Sequence, residues 1–359
     1  MNILILTGRF GMGHYSAAEA VRQKLLKEES SVNIDVVDII DYVLPRTGGA
    51  VYGGFNFMVS RCSKIYNLLN DAAGRYSNVP FKHAFVKKMD QLMDEYKPDF
   101  IIATLPVCSQ YISAYKTMKK CEIPLYTYVT DITAHVEWIA PHTDRYFVGD
   151  QSTRDTLICN GVEESRIVIS GIPVKQVFQT TQEEKTKSRI KEILIMGGGL
   201  GLVPSSDTLL TRLSAEKQIH ITLIAGNNKR LYNKLKHQFP EITVIGFTDR
   251  VHEYMKKADL IVTKSGGITT FEAIYTETPL YIITPFLAQE AGNAQYIEKS
   301  EIGKVLWSEK EDIAKDVIAL LSDEGRLAQM QKNMREIKKQ MNTASPLAFY
   351  YEKEGKLCG

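Results

Sequence analysis

The sequence predicts an α/β protein of two Rossmann-like, doubly wound domains facing a cleft, and three observations predict it. Its 359 residues are too many for one ordinary domain and suit two of roughly 170 each. Short β-branched runs alternate with longer amphipathic stretches from end to end, the pattern of βα units around parallel sheets. Near the middle, Thr180-Thr-Gln-Glu-Glu-Lys-Thr-Lys-Ser188 is polar and has no apolar period, so it reads as a linker.

The first half offers strands near Ile3–Leu6, Ile34–Ile39, Phe100–Thr104, Leu125–Val129, Tyr146–Val148 and Ile167–Ile169. Helical patterns lie between them near Ser16–Lys27, Phe81–Tyr96, Cys108–Lys119 and Ser152–Asn160. The second half repeats the theme with strands near Ile193–Met196, Ile219–Ala225, Thr243–Ile245, Leu260–Thr263 and Leu280–Ile283. The expected domains are therefore residues 1–178 and 189–340. The apolar residues of Ser345-Pro-Leu-Ala-Phe-Tyr-Tyr351 make 341–359 a segment that packs back on the first domain. Ligands of such sheets bind beyond the carboxyl ends of the strands. The stretch 47–82 breaks the rhythm with Tyr52, Phe55, Phe57, Tyr66, Tyr76 and Phe81 interleaved with Arg61, Lys64, Arg75 and Lys82. An insertion of that length between early strands is usually functional.

Composition narrows the function. A net charge of +2 argues against a dedicated nucleic-acid binder. Five scattered cysteines without a CxxC pair read as reduced thiols of a cytosolic protein. The first residues, Met1-Asn-Ile-Leu-Ile-Leu-Thr7, lack the basic and long apolar regions of a signal peptide. No segment approaches the roughly 18 to 20 apolar residues that span a bilayer, so a membrane role is expected to be peripheral.

Three glycine-rich turns carry the chemistry. Gly8-Arg-Phe-Gly11-Met-Gly13-His14 follows the first strand and opens the first long helix, where free N–H groups attract an anion. Its spacing is not the dinucleotide GxGxxG, and Asp38 and Asp41 crowd the end of the second strand. A neutral His14 imidazole at this tip suits removal of a proton from an attacking hydroxyl. Gly197-Gly-Gly-Leu-Gly201 and Lys264-Ser265-Gly266-Gly267 each follow a strand of the second half, as a diphosphate cradle would. Glu272 lies about one turn into the next helix, within reach of a ribose diol. Phe247 ends a strand where its ring suits the flank of a base. Pro285–Ala294 offers polar groups for sugar hydroxyls.

Taken in order, these turns resemble the family 28 glycosyltransferases of the GT-B fold, most closely the branch of the diacylglycerol glycosyltransferases and monogalactosyldiacylglycerol synthases. The resemblance rests on Gly11-Met-Gly-His14 with Ser16-Ala-Ala18, Val129-Thr-Asp131 with Trp138, and Ser170-Gly-Ile-Pro173. It continues through Gly197-Gly-Gly, Gly246-Phe-Thr248, Thr263-Lys-Ser-Gly-Gly267 with Thr270 and Glu272, and Gln289-Glu290 followed by Asn293. The chain departs at Ser265, where members of the family often carry Pro. The resemblance implies that Glu272 holds the ribose, that Phe247 borders the uracil, and that Gln289 and Glu290 face the donor sugar. Gly13, Gly198, Gly199, Lys264, Ser265, Gly266, Gly267, Thr269 and Asn293 complete the expected donor side. His14, with Asp131 as second candidate, would act on the acceptor. The family inverts at the anomeric carbon without a nucleotide-binding metal, so a UDP-sugar is the expected substrate and no cofactor or metal is expected.

The branch also implies a membrane lipid acceptor, diacylglycerol, at the cytoplasmic face. Phe55, Phe57, Arg61, Lys64 and Trp138 are the expected contacts with acceptor and anionic membrane. Lys87, Lys88, Lys116, Lys119 and Lys120 widen a basic face or form a solvated one. Three other readings remain open on the sequence: a UDP-sugar 2-epimerase, a transferase acting on an undecaprenyl-linked acceptor, and a non-catalytic donor-binding subunit. The sugar, the number of sugars added and the oligomeric state are not specified by these motifs.

Overall fold

The computed structural model describes residues 1–10, 12–50, 52–53, 82–133, 135–180, 190–198, 207–285, 288–308 and 312–355. The chain groups into two compact units, Met1–Gln176 with Met341–Gly359, and Val177–Gln340. Both are parallel α/β sheets, the class the sequence predicts.

The first unit is built on β1 (Asn2–Thr7), β2 (Asn33–Asp38), β3 (Phe100–Ala103), β4 (Leu125–Tyr128), β5 (Arg145–Val148) and β6 (Ile167–Ile169). They lie in the order β2-β1-β3-β4-β5-β6, every neighbouring pair parallel. Alternation along β1 sends Leu4 and Leu6 into one core with the helices Lys82–Tyr96 and Pro106–Lys119. Ile3 and Ile5 enter the core on the opposite face with the helix Gly13–Glu28. A strand buried on both faces reads as the continuous apolar run that Ile3–Leu6 shows. The C-terminal helix Pro346–Lys353 joins that second core through Leu347 and Tyr350, with the Tyr350 ring 5.2 Å from Phe100.

The second unit contains β7 (Lys191–Met196), β8 (Ile219–Ile224), β9 (Thr243–Ile245), β10 (Leu260–Thr263), β11 (Leu280–Ile282) and β12 (Gly303–Val305). Their order is β12-β11-β10-β7-β8-β9, again parallel. β12 has no counterpart in the sequence reading. It is three residues long, and Gly303 is required there because a Cβ would stand 2.6 Å from Leu280 O.

Strand order reverses between β1 and β3 in the first sheet and between β7 and β10 in the second. Loops leaving two such strands run in opposite directions, which opens a crevice at the carboxyl ends. The turns singled out in the sequence stand at these two places.

Candidate active site

In the first unit, Thr7 ends β1 and the helix Gly13–Glu28 starts six residues later, close beside β3. Its N-cap residue is Met12, held at φ 67° in the left-handed region without a side-chain cap. A residue with a Cβ is strained by about 1–3 kcal/mol in that conformation, and functional turns are where such strain collects. The helix carries no acidic residue in its first turn, so its positive end is not neutralised locally.

His14, half-buried in that first turn, places Nδ1 2.9 Å from Thr104 O and 2.8 Å from Thr130 Oγ1. Thr104 follows β3 and Thr130 follows β4, so two adjacent strands hold one ring. A carbonyl only accepts, so the neutral ring carries its proton on Nδ1 and keeps the Nε2 lone pair. Nε2 has no hydrogen-bond partner among the described residues. Burial pushes the His14 pKa below its usual 6.5, while the nearby Asp131 carboxylate and the Thr104 carbonyl oppose the shift. Asp131 accepts a 3.1 Å hydrogen bond from Trp138 Nε1. The Trp138 ring lies 6.1 Å from that of His14. His14, Thr104, Thr130, Asp131 and Trp138 thus form one group.

Two expectations need correction here. Trp138 is only 1% exposed and packs with Val129, Tyr146, Val148 and Leu157. Its ring is therefore committed to the core and its indole N–H to Asp131, which is not the setting of a membrane contact. Tyr52, counted among the interfacial aromatics, is also buried. Its hydroxyl lies 2.6 Å from Asp38 Oδ1 and accepts from Arg9 N, and Phe10 packs on its ring. Asp38 additionally caps the helix Ile39–Val43 and pairs with Arg9, so its oxygens are occupied. Phe55, Phe57, Arg61 and Lys64 lie outside the described residues, as do Gly11 and Gly199.

In the second unit, β7 and β10 are hydrogen-bonded neighbours, which brings the turn at Gly197–Gly198 beside the turn at Lys264–Gly267. Gly198 has φ +70°, and a Cβ there would lie 3.8 Å from the Lys264 side chain. Lys264 Nζ pairs with Glu290 Oε1 at 2.9 Å. Ser265 Oγ donates to Glu290 O at 2.6 Å, and Asn293 Nδ2 donates to Ser265 O at 2.8 Å. Ser265, Glu290 and Asn293 are all buried. Ser265 and Asn293 were expected to face a ligand; their side chains instead fasten the turn to the helix Ala288–Lys299, because a buried hydroxyl and amide must be paired.

This clamp fixes the start of the neighbouring helix. Gly266 caps the helix Gly267–Thr276, which has no side-chain cap and no acid in its first turn. The start of this helix therefore stands beside the Lys264 ammonium, which is paired with Glu290, and a helix N-terminus of this kind favours an anion. Thr269 and Glu272 are half-buried on that helix. Glu290 Oε2, Thr263 Oγ1 and Thr284 Oγ1 are buried with no hydrogen-bond partner among the described residues. Orphaned buried oxygens at neighbouring strand ends call for a polar ligand. Phe247, after β9, is 67% exposed. The side chain of Gln289 lies outside the described residues.

Sequence reasoning passed over Thr104 and Thr284 and gave Thr263 no role of its own. Each stands at or just beyond a strand end, the one signal that distinguishes it from other threonines. Among the described residues, no cluster of three or more His, Cys, Asp or Glu side chains gathers as a metal site. No described helix is long and apolar enough to cross a membrane.

Comparison with known proteins bears on the family and the fold. Residues 14–174 match the family of monogalactosyldiacylglycerol synthases, and residues 192–345 match the glycosyltransferase family 28 C-terminal domain. A processive diacylglycerol beta-glucosyltransferase of Bacillus licheniformis is 30% identical over 94% of this chain and 91% of its own. The MurG structure from Acinetobacter baumannii superposes with a TM-score of 0.61 at 14% identity, covering 99% of this chain and 100% of that one. A UDP-N-acetylglucosamine 2-epimerase does so at 0.60 and 14%, covering 98% and 96%. At such identities the two structures speak for the fold alone.

Proposed function

This chain belongs to glycosyltransferase family 28, and from that membership we propose that it transfers a hexose from a UDP-sugar to diacylglycerol at the cytoplasmic face of a membrane. The observation that carries the reading is the His14 ring, whose Nδ1 is tied to Thr104 O and whose Nε2 lone pair is left available.

In the reaction, the acceptor hydroxyl gives its proton to His14 Nε2 as its oxygen bonds to the anomeric carbon. The bond from that carbon to the UDP oxygen breaks in line, with inversion, and UDP departs with the electron pair. Asp131 stabilises the imidazolium so formed, and Trp138 keeps the carboxylate in place. Charge on the leaving diphosphate is met by Lys264 and by the first turn of the helix Gly267–Thr276, an arrangement that calls for no metal. Glu272 takes the ribose hydroxyls and Phe247 the base. Glu290 Oε2, with Thr263 and Thr284, takes sugar hydroxyls.

The test is to incubate the protein with UDP-glucose, UDP-galactose and UDP-N-acetylglucosamine, with and without diacylglycerol in anionic vesicles. Glycolipid formed only with vesicles supports the reading and names the sugar. Isomerised UDP-sugar without any acceptor would identify an epimerase. UDP release without glycolipid would move the acceptor elsewhere.

A further inference from the structure

A cavity of 850 Å³ opens in the first unit at the amino ends of β4 and β5. Tyr126 and Arg145, which line it, are at the start of their strands, whereas Asp131 follows the end of β4. Tyr126 and Asp131 are five positions apart, roughly 17 Å of extended chain. The cavity is therefore distinct from the His14 site.

Its lining carries Lys116, Lys120, Arg145, Arg166 and Lys353 against the carboxylates Glu122, Asp144 and Glu352. The charges are unevenly paired, and Glu122 and Glu352 make no ion pair among the described residues. Asp144 is consumed by Lys116 Nζ at 2.9 Å and Lys353 Nζ at 3.3 Å, and it also accepts from Leu125 N. Arg166 pairs with Glu163. Lys120 and Arg145 make no ion pair with any carboxylate among the described residues. Arg145 lies 5.0 Å above the Phe349 ring, which orients its guanidinium, and its Nη1 donates to Asp144 O. Its Nε is buried with no partner among the described residues. A guanidinium oriented by a ring and free of any carboxylate, in one cavity with a second unpaired cation, keeps Nη donors of the kind that phosphate oxygens satisfy.

We propose that this cavity is a second binding site, for a small soluble phosphate-bearing anion held by Arg145 and Lys120. A soluble source is favoured over a lipid head group because none of the exposed large hydrophobic side chains among the described residues lines the cavity. The loop from Val136 to Asp144 links the two ends of the sheet: Trp138 bonds Asp131 at one end, and His142 O accepts from Lys116 at the other. Gln110, on the same helix as Lys116, holds Glu137 O and Ile139 O between them. Trp138 is accordingly a built-in reporter, and Trp307→Phe removes the other tryptophan of the chain.

The experiment is calorimetric titration of the full chain with pyrophosphate at constant ionic strength, beside Arg145→Gln, Lys120→Gln and Lys264→Gln. A saturable component kept in Lys264→Gln and weakened at least tenfold in Arg145→Gln and Lys120→Gln is the expected result. Lys120 is exposed, so its variant keeps the test meaningful should Arg145→Gln misfold. Loss of the component in Lys264→Gln alone, or equal binding by all variants, would overturn the proposal. So would binding seen only with phosphatidate vesicles and not with pyrophosphate.

Discussion

The turn after β1 and the turn after β10 hold equivalent places in their sheets, each at the reversal of strand order, yet they are secured in opposite ways. The first relies on backbone: Met12 sits in the left-handed region, and the helix it opens has no side-chain cap. The side chain that strand ends fix there is His14, through Thr104 and Thr130. The second relies on buried side chains, with Ser265, Asn293 and the Lys264–Glu290 pair clamping the turn to the helix Ala288–Lys299. Residues at the first turn present a titratable group whose proton affinity is tuned by burial. Those at the second present a helix start with no side-chain cap, beside a lysine paired with Glu290. On the proposed function the first place serves proton transfer and the second holds the diphosphate, so damage to each should be read out in different constants.

The largest effect expected is that of His14→Ala. Loss of a general base lowers turnover by about 10²–10⁴-fold, and steady-state kinetics with saturating donor measures it. Ser265→Ala comes next and acts on the other constant. It removes one buried hydrogen bond to the Glu290 carbonyl, at about 0.5–1.5 kcal/mol of stability. Donor KM should rise more than turnover falls, and thermal unfolding checks the stability part. An equal fall in turnover from both variants would erase the contrast between the turns.

The pH profile sharpens the same contrast. Because burial depresses the His14 pKa, the neutral ring persists below pH 6.5 and the acid limb of kcat/KM should fall below that value. The linked stability is full above the unfolded-state value near 6.5 and is lost as pH falls through it toward the folded value. Asp131→Asn removes the charge that raises the His14 pKa, so the limb should move further to acid. A limb above 6.5 would contradict the burial argument. Trp138→Phe, which removes one hydrogen bond to Asp131, is expected to cost about 1 kcal/mol, or roughly fivefold in turnover, with donor KM unchanged. Smallest of all, Met12→Gly relieves the left-handed strain and should raise stability by up to about 1 kcal/mol, partly offset by the freer unfolded chain.

Most strands were legible because a parallel sheet buries both faces, which leaves short apolar runs such as Ile3–Leu6 and Leu260–Thr263. β12 was not legible: three residues around a glycine at a sheet edge carry no such run. Of the candidate sites, His14, Asp131 and Lys264 could be read from turns at strand ends. The partners that give them meaning could not, because Thr104 is 90 residues from His14 and Glu290 is 26 from Lys264. Nor could the direction of Ser265 or Asn293, since a polar residue in a turn faces either a ligand or the helix behind it, and packing alone decides. Lys116 teaches the same lesson: in sequence it belongs to a basic run, yet it is 7% exposed and paired with Asp144.

The division of labour between the two turns is tested most directly by measuring UDP affinity and turnover together in His14→Ala. UDP affinity within about twofold of the unaltered chain, with turnover reduced by about a hundredfold or more, is the expected result. Turnover that survives the substitution, or UDP affinity that falls in step with it, would contradict the assignment of proton transfer to the first turn and anion binding to the second.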